Sequence, residues 1–266
     1  MKNVAKLLIL SLITLALLFG CSKSEDSKVI TVGATPVPHA EMLNLIVDDL
    51  AAEGYTLKVT EFNDYVIPNE AVLSGELDAN FFQHLPYLES FNEEKGCNLV
   101  SAGGVHIEPM ALYSKKYSSL EDIPDGATIA VPNDPTNGGR AYLLLQSAGL
   151  IELSEKAGIT ATSLDVIANP KKFNFTELEA PSLPRVLDDV DAAIINGNYA
   201  LPAGLNAKDD GLLTEGSDSP YVNIVAVQEG NENLPKIQAL MKALTSEKIR
   251  NYINETYTKA EVIAVF

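Results

Sequence analysis

The chain has 266 residues, with 19 basic residues against 36 acidic residues and a formal net charge of −17 at pH 7. Such an acidic protein is repelled by nucleic acid and by anionic lipid headgroups, which argues against a nucleic-acid partner. The length suits one large or two modest α/β domains, and the two cysteines, Cys21 and Cys97, exclude a fold that depends on several disulfides.

The N-terminal residues form three successive segments of different character. A lysine-containing start precedes the apolar run 7–19, which is short for a membrane span and has the build of a secretory signal. The end of this run and the residues after it, up to Cys21, resemble a bacterial lipobox. Cleavage at a lipobox makes the cysteine the lipid-bearing N-terminus. We therefore expect a lipoprotein signal peptide over 1–20 and a lipidated polar tether over 21–28. The alternatives are an uncleaved anchor and an ordinary secretory signal.

Strands and helices alternate through the rest of the chain. Hydrophobic periodicity predicts, in order, strand 29–34, helix 40–52, strand 57–62, helix 68–74, strand 78–82, helix 86–95, an extended run 105–114, strand 128–131, helix 140–148, strand 173–178, helix 183–190, strand 192–195, strand 221–227 and an amphipathic helical stretch 234–257. Alternation of this kind predicts an α/β fold with helices on both faces of each sheet.

Two alternating series on either side of the extended run predict two lobes. We expect the first lobe to comprise 29–110 plus 228–266 and the second to comprise 111–227, with one strand leading out and another leading back. A cleft between two such lobes, at the carboxyl ends of strands, is where ligands tend to bind.

The stretch 128–150 contains the strongest single indication of a binding site. An apolar strand leads into a turn rich in Pro, Asn, Asp and Gly, and helical spacing begins at Arg140. Unpaired N–H groups at a helix start favour an anion, and an arginine can hold a carboxylate or phosphate with two parallel hydrogen bonds. The alternative is that 133–139 is an ordinary loop and Arg140 a solvated residue of the first helical turn. Neither phosphate-binding glycine motif is present.

Aromatic side chains cluster around the end of the predicted strand 78–82. Strand alternation would place Asn80, Phe82 and His84 on one side, with Tyr87 following after a proline. Together with Tyr65, which follows an earlier strand, they would form an apolar slot with a polar handle, suited to an uncharged, soft side chain. Core packing is the commoner role of such aromatic residues.

Two asparagines follow the predicted strand 192–195, and a third lies near the start of the return strand 221–227. Asn196, Asn198 and Asn223 supply both donors and acceptors, as the ammonium and carboxylate of an amino acid require. Each could equally stabilise a turn.

Metal-binding and catalytic motifs are missing from the sequence. The histidines His39, His84 and His106 lie far apart without metal-ligand spacing, so we predict no metal site. There is no nucleophile elbow, and Cys97 has no histidine near it in the sequence. We therefore predict neither an enzyme nor a cofactor.

Several long motifs resemble one known family, the methionine-binding lipoproteins of the NlpA/MetQ type. The motifs are TPVPHAEML, FNDYVIPNEAVLSGELDANFFQHLPYL, VHIEPMALYSKKYSSLEDIPDGATIAVPNDPTNGGRA, AAIINGNYA and SPYVN. The resemblance covers essentially the whole chain and implies a two-lobed periplasmic-binding-protein fold, type II-like, with its ligand cleft between lobes joined by two crossing strands.

The resemblance also implies roles for individual residues in a ligand site. It assigns Tyr65, Phe82, His84 and Tyr87 to a thioether pocket, Arg140 to the ligand carboxylate, Asn196 and Asn223 to the ligand backbone groups, and Asn137 to a place beside Arg140.

The function implied is that of a lipid-anchored, extracytoplasmic binding protein. It would capture L-methionine and deliver it to an ABC importer permease with a cytoplasmic ATPase, as a monomer held to the membrane through Cys21. A methionine-containing dipeptide or another amino acid is the alternative ligand. A secreted α/β hydrolase and a metal-binding protein are the alternatives from other classes.

Overall fold

The computed structural model describes residues 28–216 and 219–266. The predicted signal peptide and Cys21 lie outside these residues. The strands are β1 (Val29–Ala34), β2 (Thr56–Glu61), β3 (Ala79–His84), β4 (Leu99–Ile107), β5 (Ala111–Tyr113), β6 (Thr128–Pro132), β7 (Glu152–Leu153), β8 (Val166–Ala168), β9 (Asn174–Leu178), β10 (Ala192–Ile195), β11 (Gly211–Thr214), β12 (Val222–Gln228) and β13 (Ile263–Ala264). The α-helices are α1 (Glu41–Leu45), α2 (Val47–Ala52), α3 (Ile67–Leu73), α4 (Leu85–Lys95), α5 (Pro135–Ser147), α6 (Gly197–Ala200), α7 (Pro235–Leu244) and α8 (Glu247–Thr256).

The first sheet has six strands in the order β13-β4-β12-β3-β1-β2. β1 runs parallel to β2 and β3, whereas β12 is antiparallel to both of its neighbours. One face packs against α1, α2, α7 and α8, and the other packs against α3 and α4. Both faces are therefore buried, as expected for the apolar strands β1 and β12.

The second sheet has five strands in the order β11-β5-β10-β6-β9. Helix α5 covers one face through buried residues such as Ala141 and Leu145. The 3₁₀ segment Ala180–Val186 covers the other face, where Leu183 is fully buried. β7 and β8 form a small separate hairpin.

Two segments of chain connect the sheets. Residues 108–110 lead from β4 to β5, and residues 215–221 lead from β11 back to β12. This arrangement confirms the predicted α/β, two-lobed fold. The lobe boundaries 29–110 plus 228–266 and 111–227 stay a prediction, and the pairing of β12 with β3 and β4 assigns residues 222–227 to the first sheet.

Helix α5 begins earlier than the sequence predicts. The predicted start was Arg140, but the helix starts at Pro135, where the Asp134 side chain accepts a hydrogen bond from the Asn137 N–H. Aspartate as N-cap followed by proline at the first position is a strong helix start. The glycine run therefore lies inside the helix, and Gly139 is there because a Cβ would overlap the backbone carbonyl of Ile159.

Three other predicted helices differ from the structure in continuity. The predicted helix 40–52 is interrupted at Ile46, where φ is −98° and ψ is 5°. The predicted helix 183–190 is wrong: the segment is a 3₁₀ turn that contains Pro184, which lacks the N–H an α-helix would need. The stretch 234–257 is two helices, α7 and α8, separated at Ser246. Among the helices of the described ranges, none is both long and apolar enough to span a membrane.

Candidate ligand-binding site

A cavity lies between the two sheets, next to the carboxyl ends of β3 and β10. Its lining residues are Tyr65, Phe82, Gln83, His84, Tyr87, Glu108, Asn137, Arg140, Asn196, Gly197, Asn198 and Asn223. All eight residues that the sequence analysis assigned to a ligand site are among them. The structure therefore brings them together, whereas their roles towards a ligand stay predictions.

Aromatic rings form one end of the cavity. The ring of Tyr65 lies 5.6 Å from that of Phe82 and 5.7 Å from that of Tyr87, and the Tyr87 hydroxyl donates to the Tyr65 carbonyl at 3.1 Å. These contacts fix the rings as one apolar wall.

A β-bulge at Phe82 changes the strand alternation that the sequence analysis assumed. Ile224 of β12 pairs with Gln83, and the next residue of β12 pairs with Phe81. Because the bulge interrupts the period of two, Gln83 lines the cavity and Asn80 does not. The Asn80 amide instead donates to Asn69 Oδ1 at 2.8 Å.

His84 connects the two lobes as a neutral imidazole. Its Nδ1 accepts the Tyr87 N–H at 3.1 Å and caps α4, so the proton is on Nε2, which donates to Asn137 Oδ1 at 3.1 Å. Burial and the nearby Arg140 lower the pKa of His84 to about 3. The imidazole is therefore uncharged at neutral pH and acts as an oriented donor.

A chain of hydrogen bonds fixes the orientation of two amides. An ionised carboxylate only accepts, so Asp134 receives Asn137 Nδ2 at 2.9 and 3.0 Å. Asn137 Oδ1 must then face the opposite way, where it accepts Asn196 Nδ2 at 2.7 Å. Asn196 Oδ1 is left as a buried acceptor without a partner in the described part of the chain.

Asn198 presents the opposite polarity to the same cavity. Its Oδ1 accepts the Tyr65 hydroxyl at 2.6 Å. Its Nδ2 is a buried donor that no described residue satisfies. Unpartnered polar atoms in a cavity are costly unless a ligand or water pairs with them. Asn196 Oδ1 can still accept a hydrogen bond there, and Asn198 Nδ2 can still donate one.

Arg140 is buried in the second turn of α5, with 4% of its surface exposed. The alternative of a solvated first-turn residue is therefore wrong. Glu215 accepts from Nε at 3.0 Å and from Nη2, which also donates to the Glu108 carbonyl at 2.8 Å. The guanidinium carbon lies 4.3 Å from the centre of the Tyr221 ring. Within the described ranges Nη1 makes no hydrogen bond, which leaves its two N–H groups available to an anion.

Two of the three histidines meet in space although they are distant in the sequence. His39 and His106 have ring centroids 5.0 Å apart, and both lie beside Glu108. His106 Nε2 lies 2.7 Å from a Glu108 oxygen, and His39 Nε2 lies 3.1 Å from Asn223 Oδ1. Hydrogen bonding accounts for these contacts without an ion, and the absence of a metal site stays a prediction.

The sequence analysis did not identify Glu108 or Gln83 as site residues. The only signal for Glu108 was an acidic residue between apolar ones in VHIEPM. Nothing in the spacing of Gln83 could have revealed the bulge that turns it to the cavity.

Two α/β lobes joined by two crossing segments, with a cavity of aromatic and polar residues between them, define a solute-binding protein of the periplasmic-binding-protein class. Residues 30–266 match the NlpA lipoprotein family model, and the chain belongs to that family. This result confirms the resemblance found in the sequence.

Relatives are similar along nearly the whole chain. The chain is 42% identical to membrane lipoprotein TpN32 of Treponema pallidum, over 98% of this chain and 97% of that protein. It is 43% identical to the D-methionine-binding lipoprotein MetQ of Salmonella typhimurium, over 92% of each. A nutrient-binding protein from Burkholderia cenocepacia, solved bound to methionine, is 47% identical with a TM-score of 0.85, over 89% of this chain and 100% of that chain.

Proposed function

We propose that this protein captures L-methionine outside the cytoplasm and delivers it to an ABC importer. The observation that carries the proposal is the polarity of the cavity. Aromatic rings line part of the cavity. The polar lining includes donors on Arg140 Nη1 and Asn198 Nδ2 and an acceptor on Asn196 Oδ1 that no described residue satisfies. An amino acid with an apolar side chain has this distribution of groups.

The aromatic end favours a thioether over a charged side chain. A carboxylate would lose its hydration against Tyr65, Phe82 and Tyr87 and find no positive charge among these rings. A thioether is flexible and polarisable and makes favourable contacts with aromatic rings. His84 and the two tyrosine hydroxyls are already engaged in hydrogen bonds and need no partner from the ligand.

Addition of L-methionine to the purified soluble protein is expected to raise the melting temperature. A ligand bound only by the native state stabilises it by about 2.7 kcal/mol at one hundred times its Kd, which for a protein of this size raises Tm by about 5–11 °C. Differential scanning fluorimetry measures the shift, with L-glutamate as a control ligand that should produce none. An unchanged Tm at millimolar L-methionine, with a shift for another amino acid or a dipeptide, would reassign the ligand.

The importer and the membrane anchor belong to the same proposal. Relatives that are named membrane lipoprotein and D-methionine-binding lipoprotein support an extracytoplasmic protein. Delivery of the ligand to a permease driven by a cytoplasmic ATPase is the part of the proposal that rests on the resemblance found in the sequence. The anchor would be a lipid on Cys21, since the acidic body has no electrostatic attraction to the membrane surface.

Replacement of Cys21 by Ser is expected to release the protein from the membrane fraction, because the thioether-linked lipid can no longer form. Fractionation of cells that express Cys21→Ser measures the distribution, with Cys97→Ser as the matched control that should stay membrane-bound. Equal membrane partitioning of Cys21→Ser and the unmodified chain would point to the apolar run 7–19 as an uncleaved anchor.

A further inference from the structure

Glu215 holds the two crossing segments side by side where they enter the second lobe. It is the first residue of the second crossing segment, 215–221, and Met110 is the last residue of the first crossing segment, 108–110. The Glu215 N–H donates to the Met110 carbonyl at 2.9 Å, and the Met110 N–H donates to Glu215 Oε2 at 3.4 Å. Glu215 therefore binds the first crossing segment through its backbone and its side chain.

The Glu215 carboxylate also fixes the guanidinium of Arg140, which belongs to α5 of the second lobe. Arg140 Nε donates to Oε1 at 3.0 Å, and Nη2 donates to Oε2. A contact through two nitrogens determines both the position and the plane of the guanidinium. The Glu215 side chain is 16% exposed and that of Arg140 is 4% exposed, so water screens this pair less than an ion pair at the surface.

From this position the guanidinium contacts the first-lobe ends of both crossing segments. Nη2 donates at 2.8 Å to the carbonyl of Glu108, which directly follows β4. The guanidinium carbon lies 4.3 Å from the centre of the ring of Tyr221, which directly precedes β12. The Tyr221 ring in turn lies 4.9 Å from the ring of His84 in the first lobe. One side chain of the second lobe thus reaches both connections to the first.

These contacts depend on the relative orientation of the lobes. Rotation of one lobe against the other changes backbone angles within the crossing segments. Because Glu215 fixes the guanidinium to the second lobe, such a rotation moves it relative to the Glu108 carbonyl and the Tyr221 ring. A rotated arrangement therefore loses a charge-assisted hydrogen bond and a cation–π contact that the present arrangement makes.

We propose that Glu215 is a positioning residue of the hinge: it holds the Arg140 guanidinium against both crossing segments and so favours the lobe arrangement of this structure, with or without a ligand. Glu215 is not among the residues that line the cavity. Part of the affinity for any ligand that requires this arrangement is consequently supplied from outside the cavity. The inference goes beyond the proposed function, because it concerns the hinge and requires no particular ligand.

Hydrogen exchange of the ligand-free protein tests the hinge directly. In Glu215→Ala, amide exchange in peptides that cover 108–113 and 214–222 should be at least about tenfold faster than in the wild type, with β1 and β6 unchanged. Glu215→Gln should have an intermediate effect, because an amide oxygen still accepts hydrogen bonds but has no charge. Glu152→Gln, at an exposed position of the same lobe, is the matched control and should exchange like the wild type.

Titration calorimetry separates an effect on the hinge from an effect on the ligand carboxylate. The two ligands are L-methionine and L-methioninol, in which an alcohol replaces the carboxylate. A loosened hinge lowers the population of the binding-competent arrangement and raises both Kd values by the same factor. We expect Glu215→Ala to weaken both ligands by about 10- to 100-fold and to leave the ratio of their affinities within about threefold of the wild-type ratio.

Four results would overturn the proposal. Unchanged exchange in the crossing segments of folded Glu215→Ala would show that the hinge does not depend on this residue. Faster exchange throughout the protein, including β1 and β6, would indicate a general structural role. A loss of affinity for L-methionine alone would mean that Glu215 acts only through the ligand carboxylate. Tighter binding of L-methionine would mean that Glu215 competes with the ligand for Arg140.

The two measurements also separate this inference from the proposed function. If the wild type binds neither L-methionine nor L-methioninol, the methionine assignment fails. Hydrogen exchange of the ligand-free variants still decides whether Glu215 positions the hinge, since that measurement contains no ligand.

Discussion

Replacement of Arg140 by Ala is expected to weaken L-methionine binding by about 30- to several-thousand-fold. The arginine is buried and has free N–H groups on Nη1, so its loss leaves the ligand carboxylate without its positive partner. Breaking a buried charge pair at an interface typically costs about 2–5 kcal/mol, at about 1.4 kcal/mol for each tenfold change in affinity. Glu215, which loses its partner as well, adds to the cost. Titration calorimetry measures the effect.

Arg140→Lys should recover only part of the affinity. An ammonium keeps the charge but cannot bind Glu215 through two nitrogens and also present a third to the ligand. Arg185→Ala is the matched control, since Arg185 is an exposed arginine of the same lobe whose hydrogen bond is to Ser182. Near-wild-type binding by a folded Arg140→Ala protein would show that the ligand carboxylate lies elsewhere.

Replacement of Gly139 by Ala is expected to destabilise the fold even though it lies inside a helix. In an open helix, alanine is favoured over glycine by about 1 kcal/mol. Here the new Cβ would overlap the backbone carbonyl of Ile159, and backbone cannot move aside as a side chain can. We expect a loss of about 3 kcal/mol in the free energy of unfolding, or about 6–12 °C in Tm.

Gly158→Ala provides the control for this substitution. Gly158 precedes Ile159, but a Cβ there would meet nothing within 4 Å. The free energies of unfolding of Gly139→Ala and Gly158→Ala, measured by thermal unfolding, should therefore differ by most of the expected loss of about 3 kcal/mol. If Gly139→Ala melts at or above the wild-type temperature, α5 does not pack against the 159–161 segment as described.

The bounds of β1 and β10 were predicted more accurately than the start of α5, for a physical reason. β1 and β10 have the predicted bounds because continuous apolar runs buried on both faces are visible in the sequence. The start of α5 was missed because the glycines, interpreted as turn residues, serve close packing against another segment. Only the three-dimensional structure shows that neighbour.

Most of the residues that line the cavity were predicted, whereas the contacts among them were not. Resemblance to a known family named Arg140 and the aromatic residues, whereas Glu108 was missed because its partners, His39 and His106, are separated from one another by more than sixty positions. The bulge at Phe82 is a property of the pairing between β3 and β12 and leaves no local pattern in either strand.

The position of β12 within the first sheet has a consequence for the order in which the chain can fold. β3 and β4 are consecutive strands, yet they are not paired with each other, because β12 lies between them. The second sheet, by contrast, is complete by Thr214. As the chain is synthesised from its N-terminus, we expect the second lobe to fold first. β3 and β4 should remain without their shared partner β12 until residue 228 has been made.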